Sequence, residues 1–227
     1  MPGEPEPLVL FDMDGVLITG RGSDPAVHAH AMEDVAADWG LEIPTALREP
    51  LAAYPYTAAL EAACAALGVD ARRFFDAREA RSAARIAARV AAGRRPLYDD
   101  VDVLGPLSEM ATLGVVSNNY DPAVTAVVDH HGLDAFTHTR GRDVGLAGFR
   151  RRKPDPHYLA EAMDALGHRS GVYVGDRQTD VEAAQAAGLT AVYLRRPHNR
   201  ETSLRVAPDV ELDGLARLPT AVADLLG

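Results

Sequence analysis

The sequence predicts an α/β protein: a doubly wound parallel sheet with an α-helical domain inserted near its start. Two observations carry this reading. Short apolar runs ending in polar residues alternate with helical patterns over the second half of the chain. Between the first and second of these runs lies a long alanine-rich stretch with no strand-like run.

Leu8-Val9-Leu10-Phe11 is the first run, and it stops at Asp12-Met13-Asp14-Gly15. Four consecutive apolar residues before a polar turn read as a strand buried on both faces. Leu113 to Val116 runs into Ser117-Asn118-Asn119, and Gly171 to Val174 runs into Gly175-Asp176. Thr190 to Leu194 ends at Arg195-Arg196-Pro197. The helical patterns between them cover Asp100–Met110, Pro122–His131, Asp155–Leu166 and Thr179–Ala187. Asp121-Pro122 reads as an N-cap with proline just inside, and Gly167 and Gly188 read as stops. The insertion spans about Asp24 to Arg95. It divides into helices from Asp24-Pro25 to Trp39-Gly40, Thr45 to Ala53, Thr57 to Leu67 and Asp70 to Ala92. Phe74, Phe75, Ile86 and Val90 are the expected buried positions of the last. The domain boundaries expected are 1–20 with 96–227 for the sheet domain and 21–95 for the helical one.

The 227 residues suit one large domain or a core with an insertion, and 47% hydrophobic residues can fill a sizeable core. A net charge of −10 argues against a nucleic-acid surface. No apolar stretch reaches membrane-spanning length. The acidic, proline-rich start (Met1 to Pro7) lacks the pattern of a secretory signal, and the single Cys64 can form no internal disulfide. A reducing cytoplasm is the expected compartment. Of 23 basic residues, 22 are arginine and the only lysine is Lys153. Codon bias in a GC-rich genome or salt adaptation would both produce that imbalance. Either way, the one place that keeps a lysine asks for a chemical reason.

The polar residues after the runs carry the chemistry, because ligands of such sheets bind at the carboxyl ends of the strands. Asp12 and Asp14 converge where a strand enters a turn. Paired acids bind a metal or share a proton, and a carboxylate can also attack a phosphoryl group. The plainer reading is a turn. Asp176 and Asp180 flank the start of a helix, where acids also suit the helix dipole. Beside Asp12 and Asp14 they complete an all-oxygen pocket of the kind Mg²⁺ favours. Ser117 offers a hydroxyl and, with Asn118, backbone N–H groups able to hold phosphate oxygens, or simply a helix cap. Lys153 among carboxylates would limit their repulsion. Otherwise it is a solvated member of the basic run Arg150 to Lys153.

Taken together, Asp12-Met13-Asp14-Gly15-Val16, Ser117-Asn118, Lys153-Pro154 and Gly175-Asp176-x-x-x-Asp180 resemble, in order, the four motifs of the haloacid dehalogenase superfamily. The resemblance points to the phosphoglycolate phosphatase and β-phosphoglucomutase-like branch. It implies a Rossmann-like core with a C1-type helical cap and a Mg²⁺-dependent phosphatase acting on a small-molecule phosphate ester, with phosphoglycolate or a sugar phosphate as substrate class. It makes Asp12 the nucleophile and Asp14 the general acid/base. Ser117, Asn118 and Lys153 would hold the phosphoryl group. Asp12, the Asp14 carbonyl and Asp176 would bind Mg²⁺, with Asp180 acting through a water or Lys153. Dehalogenases of this kind lack the second aspartate, so Asp14 argues for phosphoryl transfer. A phosphomutase would use the same aspartates but needs a cap group that controls Asp14, and the sequence identifies none. A non-enzymatic binding protein would be expected to have lost Asp12 or Asp14.

Other signals are weaker. The first motif continues Leu17-Ile18-Thr19-Gly20-Arg21-Gly22, whose glycines suggest a hinge. Arg140 to Arg152 carries arginines at 140, 142, 150, 151 and 152; it reads either as an exposed flexible loop or as a strap that binds an anionic substrate. The eight histidines show no metal-ligand spacing. His157 could line the pocket or the surface, and Tyr54, Tyr56 and Arg72-Arg73 could select substrate.

Overall fold

A computed structural model describes residues 6–20, 24–93 and 95–226. Six strands form one sheet: β1 (Leu8–Phe11), β2 (Thr112–Tyr120), β3 (His138–Arg142), β4 (Val172–Gly175), β5 (Thr190–Leu194) and β6 (Val210–Leu212). Their order is β3-β2-β1-β4-β5-β6, and every pairing is parallel. The chain runs outward from β1 on one side, then returns to build β4 on the other. A crevice opens at the carboxyl ends where that order reverses, beside β1 and β4.

Period-two alternation explains why the runs are apolar throughout. Val9, Phe11, Val115, Val172, Val174, Val192 and Leu194 face one buried cluster. Leu8, Leu10, Val116, Tyr173, Ala191 and Tyr193 face the other. Helices α5 (Leu104–Ser108), α6 (Asp121–His131) and α10 (Leu218–Leu226) cover the first face. Helices α8 (His157–Leu166) and α9 (Gln178–Ala187) cover the second. Each fully buried Val or Leu on these faces stabilises the fold by about 1.5–3 kcal/mol. The remaining helix of this half, α7 (Leu146–Arg150), follows β3.

Helices α1 (Pro25–Trp39), α2 (Thr45–Ala52), α3 (Ala58–Ala66) and α4 (Ala71–Ala91) fall where the sequence places them. Their caps are the local reason. Asp24, Thr57 and Asp70 each accept a backbone N–H of the following turn, and Gly40 ends α1 in the left-handed region. Phe74 and Phe75 pack with Met32, Val35, Leu51, Leu60 and Cys64 in a cluster of their own, joined by Leu146 and Phe149 of α7. Ile86 and Val90 are also buried. No helix among the described residues is long and apolar enough to cross a membrane.

Four sequence expectations change. Strands β3 and β6 were not expected, because neither has a run of apolar residues. Strand β2 is longer than its apolar run and carries Ser117-Asn118-Asn119 in its irregular end, where its register with β3 shifts. Asp121 is the first residue of α6, not its cap, and its carboxylate accepts the Gly141 N–H at 2.8 Å instead. The Arg140–Arg152 segment is no exposed flexible loop: it forms the end of β3 and α7, and Arg142 is buried. Arg140 is ion-paired with Asp121, Asp143 and Glu161. Arg21 and Gly22 of the expected hinge, and Met1 to Pro5 of the acidic start, lie outside the described residues. The rest of the junction is tied down: the Thr19 N–H bonds the Pro96 carbonyl, and the Tyr98 N–H bonds that of Leu17.

Candidate active site

The carboxyl ends of β1, β2 and β4 bring Asp12, Asp14, Ser117, Lys153, Asp176 and Asp180 together, all buried. Asp12, Asp14, Ser117, Asn118 and Arg177 line a cavity of about 490 Å³, closed on the far side by Pro25, His28, Ala52, Ala53 and Tyr54 of the helical insertion.

Asp12 follows β1 directly, and its N–H bonds the Val174 carbonyl at 2.8 Å. Its Oδ1 lies 3.1 Å from the Lys153 ammonium, which also holds Asp180 Oδ1 at 2.7 Å. Lys153 is therefore not a solvated member of the basic run: it is 3% exposed and points inward. Burial opposes its charge, but Asp12 and Asp180 raise its pKa above the ordinary lysine value. The Asn118 side chain fixes the loop that delivers it, accepting the Lys153 N–H at 2.8 Å and donating to its carbonyl at 3.1 Å. The Lys153-Pro154 bond is cis.

Asp14 sits two residues on, with both oxygens engaged. Arg95 donates to Oδ1 at 2.7 Å and Asn119 to Oδ2 at 2.9 Å. Gly15 makes the turn possible. Its φ is +84°, and a Cβ there would stand 2.2 Å from an Asp176 oxygen.

Asp180 is a brace. Its Oδ2 accepts the N–H groups of Asp176 and Arg177 at 3.1 and 2.9 Å. Its other oxygen is committed to Lys153. Asp176 takes His198 on Oδ2 at 2.6 Å, while the Asn199 amide holds its backbone carbonyl at 2.8 Å. Its Oδ1 is buried without a hydrogen bond, and the Arg177 guanidinium stands 3.7 Å away.

That orphaned oxygen fits a cation. Asp12, Asp176 and Asp180 each offer a carboxylate oxygen within 4.8 Å of the others, an all-oxygen donor set that suits a hard divalent ion. Burial, with repulsion from Asp180 and Asp12, pushes the Asp176 carboxyl up to about 8. A pH prediction follows for the metal-free protein. A carboxyl raised in the folded state binds more protons there than in the unfolded chain between about 4 and about 8. Its contribution to stability is present below that window and is lost as pH rises through it. Asp180 is raised as well and acts with the same sign, whereas Lys153 titrates above the window. Thermal melts of EDTA-treated protein should therefore fall from pH 5.5 to 8.5, and Asp176→Asn should flatten that fall. An equal slope in the variant would remove the assignment.

A model of the haloacid dehalogenase-like hydrolases matches residues 7–188. The chain belongs to that family. Among curated proteins, it is 28% identical over 222 residues to phosphoglycolate phosphatase of Rhodospirillum rubrum, covering 92% of this chain and 88% of that one. Its likeness to the Pectobacterium atrosepticum phosphoglycolate phosphatase is 29% over 216 residues, covering 91% and 88%. The Mesorhizobium japonicum phosphoglycolate phosphatase is 37% identical over 84 residues, a match spanning about a third of each chain (35%). Two solved structures share the fold at a TM-score of 0.58. CbbY from Rhodobacter sphaeroides, in complex with phosphate, is 21% identical, with 94% of this chain and 96% of that one covered. A predicted phosphoglycolate phosphatase from Haemophilus somnus is 20% identical, with 95% and 97% covered.

Sequence reasoning missed several neighbours of the site. Asn119 adjoins the Ser117-Asn118 motif, so adjacency was an available signal. Tyr173, whose hydroxyl contacts Lys153 and donates to the Val116 carbonyl, reads in the sequence as one more strand residue. Arg95, His198 and Asn199 have no local signature. Among the weaker candidates, Tyr54 lines the cavity. Tyr56 packs on Phe75, Arg73 lies over Trp39, Arg72 faces Asp76, and His157 pairs with Glu161 outside the cavity.

Proposed function

We propose that this hydrolase is a Mg²⁺-dependent phosphatase of small-molecule phosphomonoesters, working through an aspartyl phosphate on Asp12. The observation that carries the reading is the division of labour between two buried aspartates in one cavity. Asp12 is held by a lysine among metal-type carboxylates, and Asp14 is held apart from them by Arg95 and Asn119. The Asp12 carboxylate attacks phosphorus, and the bond to the ester oxygen breaks. Asp14 gives that oxygen a proton, then takes one from the water that cleaves the acyl phosphate. Ser117, the backbone at Asn118, and Lys153 position the phosphoryl oxygens, and such positioning supplies most of the rate in phosphoryl transfer. Asp12, the Asp14 carbonyl and Asp176 would hold Mg²⁺, with Asp180 in support; the ion supplies positive charge against the phosphoryl oxygens. The helices of 21–95 serve as a cap over 1–20 and 96–227. The curated relatives named above are phosphoglycolate phosphatases, so phosphoglycolate heads the substrate class, with sugar phosphates beside it.

Arg95 favours a second reading. It closes the helical insertion, bonds the Thr19 carbonyl at the opposite strand of the junction, and grips Asp14. That is the kind of cap control a phosphomutase needs. One experiment separates the two. A panel of phosphomonoesters, with Mg²⁺ and with EDTA, should release inorganic phosphate in step with ester consumed, only with metal. Ester converted to an isomer without phosphate release would establish the mutase, and no reaction of any ester would sink both.

A further inference from the structure

The insertion side of the cavity carries a charge imbalance that the chemistry above does not use. Arg142, at the end of β3, lines the cavity and is 1% exposed. Arg78, in α4, is fully buried (0%). Among the described residues, Glu79 is the one carboxylate ion-paired with either, 2.6 Å from Arg142 and 4.0 Å from Arg78. Glu79 also accepts the Tyr120 hydroxyl at 2.6 Å, so its charge is shared three ways. Two buried guanidinium groups and one carboxylate leave a net positive charge.

Arg78 has a structural task. Its Nη1 holds the Leu51 carbonyl at 2.8 Å and that of Ala53 at 2.6 Å, fixing the chain between α2 and α3. Arg142 is differently placed. Its Nε donates to the Asn118 carbonyl at 3.1 Å, which ties it to the phosphate-side motif. Its guanidinium stacks on Tyr120 at 4.2 Å. Half-buried Arg152, stacked on Phe149, adds a further cation nearby. His28 adds none: burial, then Arg78 and Arg142, push its pKa down to about 4, and Ser82 takes its Nδ1 at 3.0 Å. An uncompensated charge in such a place is costly unless a counter-ion arrives.

We propose that Arg142 is the centre of a second anion subsite, which binds a carboxylate or second phosphate on the alcohol portion of the substrate. The subsite deepens the phosphatase reading and rests on it. The substrate enters with one anionic end at Asp12 and the other against Arg142. The cation is inside the cavity wall, so it discriminates: an uncharged alcohol leaves the imbalance uncorrected.

Phosphoglycolate and ethyl phosphate form a suitable pair, because they differ only in a carboxylate against a methyl. The wild type should favour phosphoglycolate in kcat/KM by about 10-fold or more, the scale of a charge-assisted hydrogen bond. Arg142→Gln should collapse that ratio to near one. Glu79 remains opposite Arg78 in this variant, so no carboxylate is stranded. Glu79→Gln, which raises the excess charge, should move the ratio the other way. A ratio near one in the wild type, or unchanged in Arg142→Gln, would overturn the subsite. If neither ester turns over, the phosphatase reading fails instead. Calorimetric binding of the same two esters to the Asp12→Asn protein then decides the subsite alone: equal affinity removes it, and tighter phosphoglycolate sustains it.

Discussion

Asp12→Asn should lose ester hydrolysis by about four orders of magnitude or more while keeping its fold. The size follows from what is removed: an amide is no nucleophile, and residues that act as a unit with it cannot replace it. The fold should survive because the change keeps shape and removes charge. Asp12 is one of three carboxylates within 4.8 Å of one another, and its repulsion helps to raise the Asp176 carboxyl. Lys153 keeps Asp180 at 2.7 Å as its partner. The metal-free variant should therefore melt no lower than the wild type at pH 8. Initial rates and melting curves on one preparation check both halves. Turnover within tenfold of the wild type would eliminate the covalent route, and a collapsed melt would show that Asp12 is structural.

The legible part of this protein was what local pattern encodes. The apolar runs before Asp12, Ser117 and Asp176 are strands because both faces of the sheet are covered, and the helical insertion announces itself through caps at Asp24, Thr57 and Asp70. Strand β3 escaped because His138-Thr139-Arg140-Gly141-Arg142 has no apolar run. Its arginines are accommodated by acids distant in sequence: Glu79 for Arg142, and Asp121 and Glu161 for Arg140. Periodicity cannot report such pairings. The same holds for Arg95 on Asp14 and His198 on Asp176, which lie 81 and 22 residues apart. The lone lysine was legible for a different reason. In a chain that otherwise uses arginine, Lys153 occupies a buried place between Asp12 and Asp180.

Lys153→Arg should be severely impaired, with kcat lower by about 100-fold or more and a lower melting temperature. The Lys153 ammonium has three protons, and four acceptors surround it: Asp12 Oδ1, Asp180 Oδ1, the Tyr173 hydroxyl and, at 3.4 Å, the Val116 carbonyl. A guanidinium brings five N–H donors in a planar fork to this 3% exposed site. Each donor left without a partner costs about 1–3 kcal/mol, and the added bulk costs about as much again. Lys153→Met separates charge from shape, because it keeps the chain's length and removes the ammonium that Asp12 and Asp180 share. Breaking a buried pair on one side costs about 3–5 kcal/mol. Mg²⁺ should restore more of the stability lost in Lys153→Met than of that lost in Lys153→Arg, since only the former lacks positive charge. Melting curves with and without Mg²⁺ measure this directly. Normal kinetics and stability in Lys153→Arg would show that any cation suffices there, and that a single lysine among arginines is a remnant of composition.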